Sequence, residues 1–397
     1  MSDPQTESAL VNVLPAEIRH LIYIELFQAT GLRQHILCHG LGTKALHFCR
    51  WPCSIEFEQD DGLQQQIEQV RQSRDMPWGK DLEGYQDEEF GRLSRHLKSP
   101  WLNHWACGDD AFEQCGLDAL FGASTASHKC WKVGPKREDR MKDSSSYISM
   151  LLCCKVISAE FLAALYAETT FIFTDMQTLQ AFFGSCELHP IMEEWPKLTL
   201  SPPPFFKHAR KIEISLSPDF PSLLLCASHD LAGLPIRHSV YDFHWLRLAQ
   251  FENLQSIKIW ISARSICKNL EQKFEFKGIK QFTLPELKDV LDAFTGICSV
   301  EISAPLSNTW GPQEGRVEEL SRPGLIVCKR GSGDHFHPFL TLITTRNSPR
   351  DKVIHTSQRR EVRIGIPGGH YMVMHDFGEG PGFPLGSFSE SICVRPW

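Results

Sequence analysis

The sequence predicts a mixed fold of the α+β or α/β class, in which a helical N-terminal part packs on a stack of βαβ units and a β/coil tail follows. Three observations support this prediction. Residues 14–27 carry apolar side chains at helical spacing. Residues 151–173 form an apolar helical block that continues into a strand rich in β-branched and aromatic residues. Segments 210–216, 255–261 and 298–303 repeat one strand pattern, with helical segments between them.

The first long helix is predicted to follow a disordered lead of residues 1–13. Pro15 suits the first helical turn because its φ is fixed and its missing N–H would find no partner there. The helix presents an apolar stripe made of Leu14, Ile18, Leu21, Ile22 and Leu26. Two alternating runs, residues 33–38 and 44–49, then predict a β-hairpin. Residues 14–53 therefore form one unit of helix and hairpin.

Residues 54–146 are predicted to be an insertion that ends in a linker. The hydrophobic periodicity weakens over this stretch, although residues 63–72 have the composition of a short helix. Residues 132–146 are charged and then rich in serine, which is typical of a linker. The role of the insertion does not follow from its sequence.

Residues 147–305 are predicted to form the core, a helix followed by a βαβαβαβ stack. The four strand centres are Ile172, Ile212, Ile257 and Val300, which are 40, 45 and 43 residues apart. Consecutive strands with a helix in each crossover imply parallel pairing. A unit of this length favours an irregular, leucine-rich-repeat-like stack, and chance similarity among amphipathic strands is the alternative.

The strands of the predicted stack alternate apolar residues with Glu213, Lys258 or Glu301. This alternation predicts that one sheet face is at least partly solvated, which argues against a doubly wound sheet covered on both sides. Residues 306–397 are rich in glycine and proline with short β-like runs. We expect them to form an irregular β/coil tail.

The composition is that of an ordinary globular protein. The chain has 397 residues with a formal net charge of −7, so it lacks the basic field that binds nucleic acid. No run of about 18 apolar residues is present, so we expect no membrane span. The 14 cysteines show no framework spacing and no signal-peptide pattern precedes them. We therefore expect reduced thiols and a cytoplasmic or nuclear protein.

Cysteine and histidine residues cluster in the predicted hairpin and are candidate metal ligands. They are Cys38, His39, His47, Cys49 and Cys53. Zinc accepts such ligands, but the spacing lacks the paired C-x2-C knuckle of typical zinc sites, and ordinary hairpin residues would explain it equally well. We find no nucleophile elbow and no phosphate-binding loop. The prediction is therefore a non-enzymatic protein without a cofactor, and a zinc-binding protein or metal-dependent enzyme is the alternative.

Three blocks of the chain together resemble a fungal, ascomycete family of unknown function that has an F-box-like N-terminus. The blocks are Leu14–Tyr23 with the pattern LPxEIRxxIY, the hairpin Arg33–Cys49, and Leu151–Phe173 with the pattern LLxxCRxIxxE…LYxxxTFxF. The third block matches at Cys154, Ile157, Glu160, Leu165, Tyr166, Thr170, Phe171 and Phe173. Lys155 stands where the family usually has arginine.

The resemblance implies a protein-interaction domain. F-box proteins dock the adaptor subunit of cullin-type ubiquitin ligases through the leading helix, so Leu14, Pro15, Ile18 and Ile22 become candidates for binding that partner. An F-box is a compact run, whereas here more than 100 residues separate the two matching helices. The alternative is that the leading helix packs internally against residues 151–166. The partner, the process and the oligomeric state do not follow from the sequence.

Overall fold

The fold is that of a computed structural model of the chain. The described residues are 9–39, 47–58, 60, 62–75, 88–97, 99–116, 119, 130, 145–183, 202–220, 246–268, 274–280, 294, 299–306, 314–331, 342–343, 360–366 and 370–376. They belong to two compact units, Met1–Ser348 and Pro349–Trp397.

The helices of the first unit are α1 (Ala9–Asn12), α2 (Ala16–Gln28), α3 (Leu63–Ser73), α4 (Glu88–Leu97), α5 (Trp105–Cys115), α6 (Ser145–Cys153), α7 (Lys155–Glu168), α8 (Met176–Phe183) and α9 (Pro203–His208), with 3-10 turns at Leu102–His104 and Leu248–Gln250. Its strands are β1 (Arg33–His39), β2 (His47–Pro52), β3 (Thr170–Phe173), β4 (Lys211–Leu216), β5 (Ser256–Ile261), β6 (Arg264–Lys268), β7 (Phe274–Lys280), β8 (Ser299–Ala304), β9 (Gly315–Arg316), β10 (Leu325–Lys329) and β11 (Leu342–Ile343). The second unit contains the antiparallel hairpin of β12 (Arg360–Ile366) and β13 (His370–Asp376).

The main sheet has eight strands in the described part of the chain, in the order β2-β1-β3-β4-β5-β8-β10-β9. The six central strands are parallel, and β2 and β9 pair antiparallel at the two edges. The predicted strands around Ile172, Ile212, Ile257 and Val300 are thus neighbours and parallel, as expected. Ile212 lies opposite Ile257, which lies opposite Val300.

One face of this sheet carries the main core. Ile212, Ile257 and Val300 are buried there against Phe182 of α8 and Phe205 of α9, within one continuous apolar cluster. Both helices lie in the connection from β3 to β4, where their apolar stripes can cover parallel strands. The sequence predicts crossover helices at residues 176–184, 241–250 and 285–294, and the first is confirmed as α8. The described end of the second, Leu248–Gln250, is a 3-10 turn. Residues 241–245 and most of 285–294 lie outside the described residues.

The opposite face carries the charged residues that the strand pattern indicated. Glu213, Lys258 and Glu301 lie side by side in register. Lys258 and Glu301 are half-buried and form an ion pair with Nζ and Oε2 3.8 Å apart. Glu213 is 3% exposed and accepts two 2.7 Å hydrogen bonds from the Arg33 guanidinium. This face is therefore partly solvated at β5 and β8, but it is covered near β1 and β4.

The alternative in which the leading helix packs internally against residues 151–166 is confirmed for one side of α2. Tyr23 and Phe27 of α2 are buried against Ile157 and Phe161 of α7. The Phe27 and Phe161 ring centroids are 4.9 Å apart. The following strand, β3, then pairs with β1, so the helix pair brings the hairpin to the edge of the parallel sheet.

The structure adds features that periodicity did not indicate. Strands β6 and β7 lie between β5 and β8 in the chain. They pair antiparallel with each other and form a small separate sheet with β11. The main sheet continues beyond residue 305, because β10 pairs in parallel with β8. Strand β2 is described from His47 to Pro52, and residues 44–46 of its predicted range lie outside the described residues. None of the described helices combines the length and apolarity that crossing a bilayer requires.

Candidate metal centre

The β1–β2 hairpin collects metal-ligating side chains on a single face. Side chains alternate along a strand, so His35 and His39 of β1 point to the same side. The antiparallel register sets His39 opposite His47 and Leu37 opposite Cys49. Cys53 follows β2 at the same spacing, and its backbone N–H donates to the Arg33 carbonyl at 2.9 Å. The strand geometry alone thus gathers five ligand-type residues on one face.

Two further ligand-type residues come from the insertion. The 3-10 turn Leu102–His104 runs directly into α5, which begins at Trp105. Residues three apart in a helix lie on one side, so His104 and Cys107 project together. The turn packs over the sheet face opposite the main core, where Ser215 of β4 donates a 2.6 Å hydrogen bond to the Asn103 side chain.

These two elements bring His35, Cys53, His104 and Cys107 into one cluster, the buried centre. Each residue offers one ligand atom, and all four atoms lie within 4.8 Å of one another. Cys53 Sγ lies 3.7 Å from Cys107 Sγ and 3.5 Å from His104 Nδ1. With zinc bonds of about 2.3 Å to sulfur and about 2.0 Å to nitrogen, tetrahedral edges are about 3.8 Å and about 3.6 Å. These two separations match the corresponding edges of a tetrahedral zinc site.

The histidines of the buried centre are held in the form that binds metal. His35 and His104 are fully buried, and desolvation lowers the pKa of His35 to about 4 and also lowers that of His104. Within the described residues, neither ring nitrogen of His35 makes a hydrogen bond of ordinary geometry. A buried imidazole without partners is costly, and a metal–nitrogen bond would remove that cost.

The thiols of the buried centre are also prepared for metal binding. The pKa of Cys107 is lowered, mainly by a hydrogen bond from Cys53 and then by a hydrogen bond from His104 and the electrostatic effect of His35. A thiolate is the form that ligates a metal. The 3.7 Å between the two sulfur atoms is far longer than a disulfide bond of about 2.05 Å. The pair is therefore reduced and points at a common position.

An aromatic wall surrounds the buried centre. Trp101 is 1% exposed, lies edge-on to His35 with ring centroids 5.0 Å apart, and donates its indole N–H to the Ala119 carbonyl. It belongs to the apolar cluster that contains Leu37 and Trp51 of the hairpin. These apolar side chains pack beside the ligands, which favours a preformed site.

The structure separates the five hairpin candidates into three groups. Cys53 belongs to the buried centre. His39 and Cys49 lie together in a second cluster with Cys130, and His47 lies beside it. Cys38 points to the other side of the strand, where it is buried and its backbone N–H donates to the Thr178 hydroxyl. Strand alternation therefore removes Cys38 from the candidate ligands.

Four residues of the two clusters were not among the predicted ligands: His35, His104, Cys107 and Cys130. His35 and His39 are four positions apart on one strand and therefore lie on the same face. The H-x2-C spacing of His104 and Cys107 is that of a ligand pair at the start of a helix. Both signals are visible in the sequence. The sequence does not show that these residues meet in one cluster, because 50 residues separate Cys53 from His104.

The candidate partner-binding residues lie on the side of α2 that faces away from α7. Ile18 is 43% exposed and Ile22 is 36% exposed. Pro15 is exposed and Leu14 is half-buried. Leu21, which was not among the candidates, is 57% exposed on the same helix. Both sides of α2 therefore carry apolar residues. One side is buried against α7, and the other is exposed to solvent.

Comparison of the chain with protein-family models, curated proteins and solved structures gave no match.

Proposed function

We propose that the protein is a non-enzymatic protein-interaction domain whose hairpin and insertion are joined by a structural zinc ion. The observation that carries this proposal is the convergence of His35, Cys53, His104 and Cys107, with all four ligand atoms within 4.8 Å. A set of two sulfur and two nitrogen donors favours zinc over the hard cations Ca²⁺ and Mg²⁺, which take oxygen ligands.

The closed ligand set supports a structural role for this ion. A catalytic zinc keeps one position open for water or substrate, whereas a structural zinc has four protein ligands. All four positions of the buried centre are supplied by the chain, and three of the four residues are buried. The ion would hold α5 and its preceding turn against the hairpin, so the insertion would be attached to the hairpin through the metal.

Metal analysis of the purified full-length protein tests this proposal. Replacing Cys107 by serine removes one sulfur ligand, and we expect the zinc content to fall by one equivalent per chain relative to the wild type. Cys153→Ser is the matched control, because Cys153 is exposed on α6 and lies in neither cluster. A Cys107→Ser protein that keeps the full zinc content of the wild type would contradict the buried centre.

A second candidate function, adaptor docking, is favoured by the exposed side of α2. Ile18, Leu21 and Ile22 are large apolar side chains in contact with water, while the other side of the helix is buried through Tyr23 and Phe27. The resemblance to F-box proteins makes this side of the helix the candidate binding surface for the adaptor of a cullin-type ubiquitin ligase. In that role the chain would be a substrate receptor.

Binding of the purified adaptor subunit to the full-length chain tests the docking role. Ile18→Glu places a charge in the apolar patch, so we expect it to abolish binding without unfolding the protein. Gln28→Glu, at an exposed position of the same helix, adds the same charge outside the patch and should bind as the wild type does. Adaptor binding that survives Ile18→Glu, or a wild-type chain that does not bind, would exclude this role.

A further inference from the structure

A second cluster of metal-ligating residues lies further along the same face of the hairpin. His39, Cys49 and Cys130 each offer one ligand atom, and these atoms lie within 4.8 Å of one another. His39 Nε2 is 2.9 Å from Cys49 Sγ. A tetrahedral nitrogen–sulfur edge around zinc is about 3.6 Å, so an ion entering between them would move the two side chains slightly apart.

Burial distinguishes this cluster from an accidental surface grouping. His39 is 1% exposed and Cys130 is 7% exposed, although both are polar or ionisable. Cys130 comes from the far end of the insertion, 81 positions after Cys49 in the chain. A buried thiol brought over that distance to a buried imidazole indicates that their meeting is a feature of the fold.

The environment of Cys130 also suits a metal ligand. Its thiol has the side chains of Cys49, His39 and His47 as hydrogen-bonding neighbours. Those three neighbours are donor groups that zinc itself accepts as ligands. Together with the Cys130 thiol they form a set of four ligand-type groups that a single cation could share.

His47 is placed to supply the fourth ligand. It is the register partner of His39 at the start of β2. The two imidazole ring centroids are 5.5 Å apart with the planes inclined by 33°. His47 is exposed, whereas His39 is buried, so His47 lies on the solvent side of the cluster.

We infer that His39, His47, Cys49 and Cys130 bind a second zinc ion, the edge centre, and that His47 closes its solvent side. This inference goes beyond the buried centre, because the two centres share no ligand. The edge centre would fasten the end of the insertion to the hairpin, as the buried centre fastens its middle. Its exposed fourth ligand would make it the more exchangeable of the two ions.

Zinc stoichiometry of full-length variants tests the edge centre. We expect two equivalents of zinc per chain in the wild type and in Cys153→Ser, and one equivalent in Cys130→Ser. Cys107→Ser should also retain one equivalent, because its loss affects the buried centre alone. Cys130→Ser protein with the same zinc content as the wild type would overturn the inference.

The two proposals fail in distinguishable ways in this experiment. If Cys130→Ser loses one equivalent while Cys107→Ser loses none, the edge centre stands and the buried centre fails. The reverse pattern rejects the edge centre alone. Substitution with Co²⁺ provides a second measurement on each folded variant, because tetrahedral cobalt–thiolate absorption should be halved, and not abolished, by either single substitution.

The role of His47 is tested by the rate of zinc release to a colorimetric chelator. His47→Ala leaves the three inner ligands in place, and we expect the faster of the two released equivalents to leave at least about tenfold faster than in the wild type, in line with the cost of weakening a zinc site. Folding is checked by circular dichroism. An unchanged release rate in the folded variant would overturn the assignment of His47 as the fourth ligand.

Discussion

At the scale of single residues, small differences of position decide which side chains are ligands. Cys38 and His39 are adjacent, yet the alternation of a strand sends them to opposite faces. His39 joins the edge centre, and Cys38 packs beside Thr178. In the same way, the one-turn spacing of His104 and Cys107 sets both on the side of α5 that faces the hairpin. The face of the strand or helix on which a residue lies is therefore a better guide to metal binding than its residue type.

Gly108 is a residue whose missing side chain allows the buried centre to form. A Cβ atom at this position would lie 2.7 Å from Cδ1 of Trp101, and Trp101 is nearly completely buried. We predict that Gly108→Ala displaces either the indole or the first turn of α5, which carries Cys107. Overpacking of this kind costs about 1–3 kcal/mol.

The measurements for Gly108→Ala are urea unfolding and zinc competition. We expect a lower free energy of unfolding and a zinc affinity reduced by about tenfold, comparable with the loss of a supporting interaction. Glu113→Ala, at an exposed position of α5, is the control and should change neither. Unchanged stability and affinity in Gly108→Ala would show that Trp101 can move without cost.

At the scale of elements, the pair α2 and α7 combines an apolar contact with a polar clamp. The Arg19 guanidinium donates two hydrogen bonds to Glu160, of 2.8 Å and 2.6 Å, and Tyr23 donates a third at 3.3 Å. Arg19, Tyr23 and Glu160 all belong to the motifs on which the family resemblance depends. In this structure those residues hold two helices together, and the exposed residues of the same motif remain available for docking.

The clamp predicts how stability depends on pH. Hydrogen bonds from Arg19 hold the pKa of Glu160 below its ordinary value of 4.5. The folded state therefore binds this proton less readily than the unfolded state, and the clamp contributes stability above that ordinary pKa. The contribution is lost as the pH falls through the lower pKa of the folded state.

We accordingly expect the urea midpoint of the wild type to fall more steeply below about pH 4.5 than that of Glu160→Gln. The measurement is urea unfolding of both proteins at a series of pH values with zinc-free buffers matched in ionic strength. Near neutral pH the wild type should be the more stable of the two. Parallel curves for the two proteins would mean that the clamp does not contribute to the pH dependence.

At the scale of the first unit, the insertion is the part that depends on metal. The parallel strands β3, β4, β5 and β8 have a large apolar core with α8 and α9. The insertion has smaller clusters, one around Trp101 and Leu37 and one between α3 and α4. Small domains with limited cores commonly rely on metals for stability.

We predict that chelation opens the insertion before it affects the parallel sheet. Limited proteolysis before and after zinc removal should show that the cuts added by chelation fall within residues 54–130 and not within β3, β4, β5 or β8. Adding zinc back before the protease should restore the original resistance. Added cuts within β4 or β5, or a pattern unchanged by chelation, would contradict this division of stability.

The sequence alone determined the local elements and the order of the central strands. Apolar periodicity located α2, α7 and α8, and the repeated strand pattern predicted parallel neighbours, because these properties depend on residues close together in the chain. Charged residues on alternate strand positions likewise indicated the partly solvated face at Lys258 and Glu301. The helices and the charged positions needed one segment at a time, and the strand order needed only the comparison of short strand patterns whose centres are 40, 45 and 43 residues apart.

Only the tertiary structure decided which histidines and cysteines meet. His35 and Cys53 reach His104 and Cys107 across an insertion without a recognisable motif, and Cys130 joins His39 and Cys49 from further still. Such meetings depend on how α5 packs over the hairpin, a long-range contact that strand or helix periodicity does not encode. The same packing covers part of the sheet face that the sequence predicted to be solvated. The local pattern of a strand determines which side chains lie on each face, but it does not determine which distant element packs on that face.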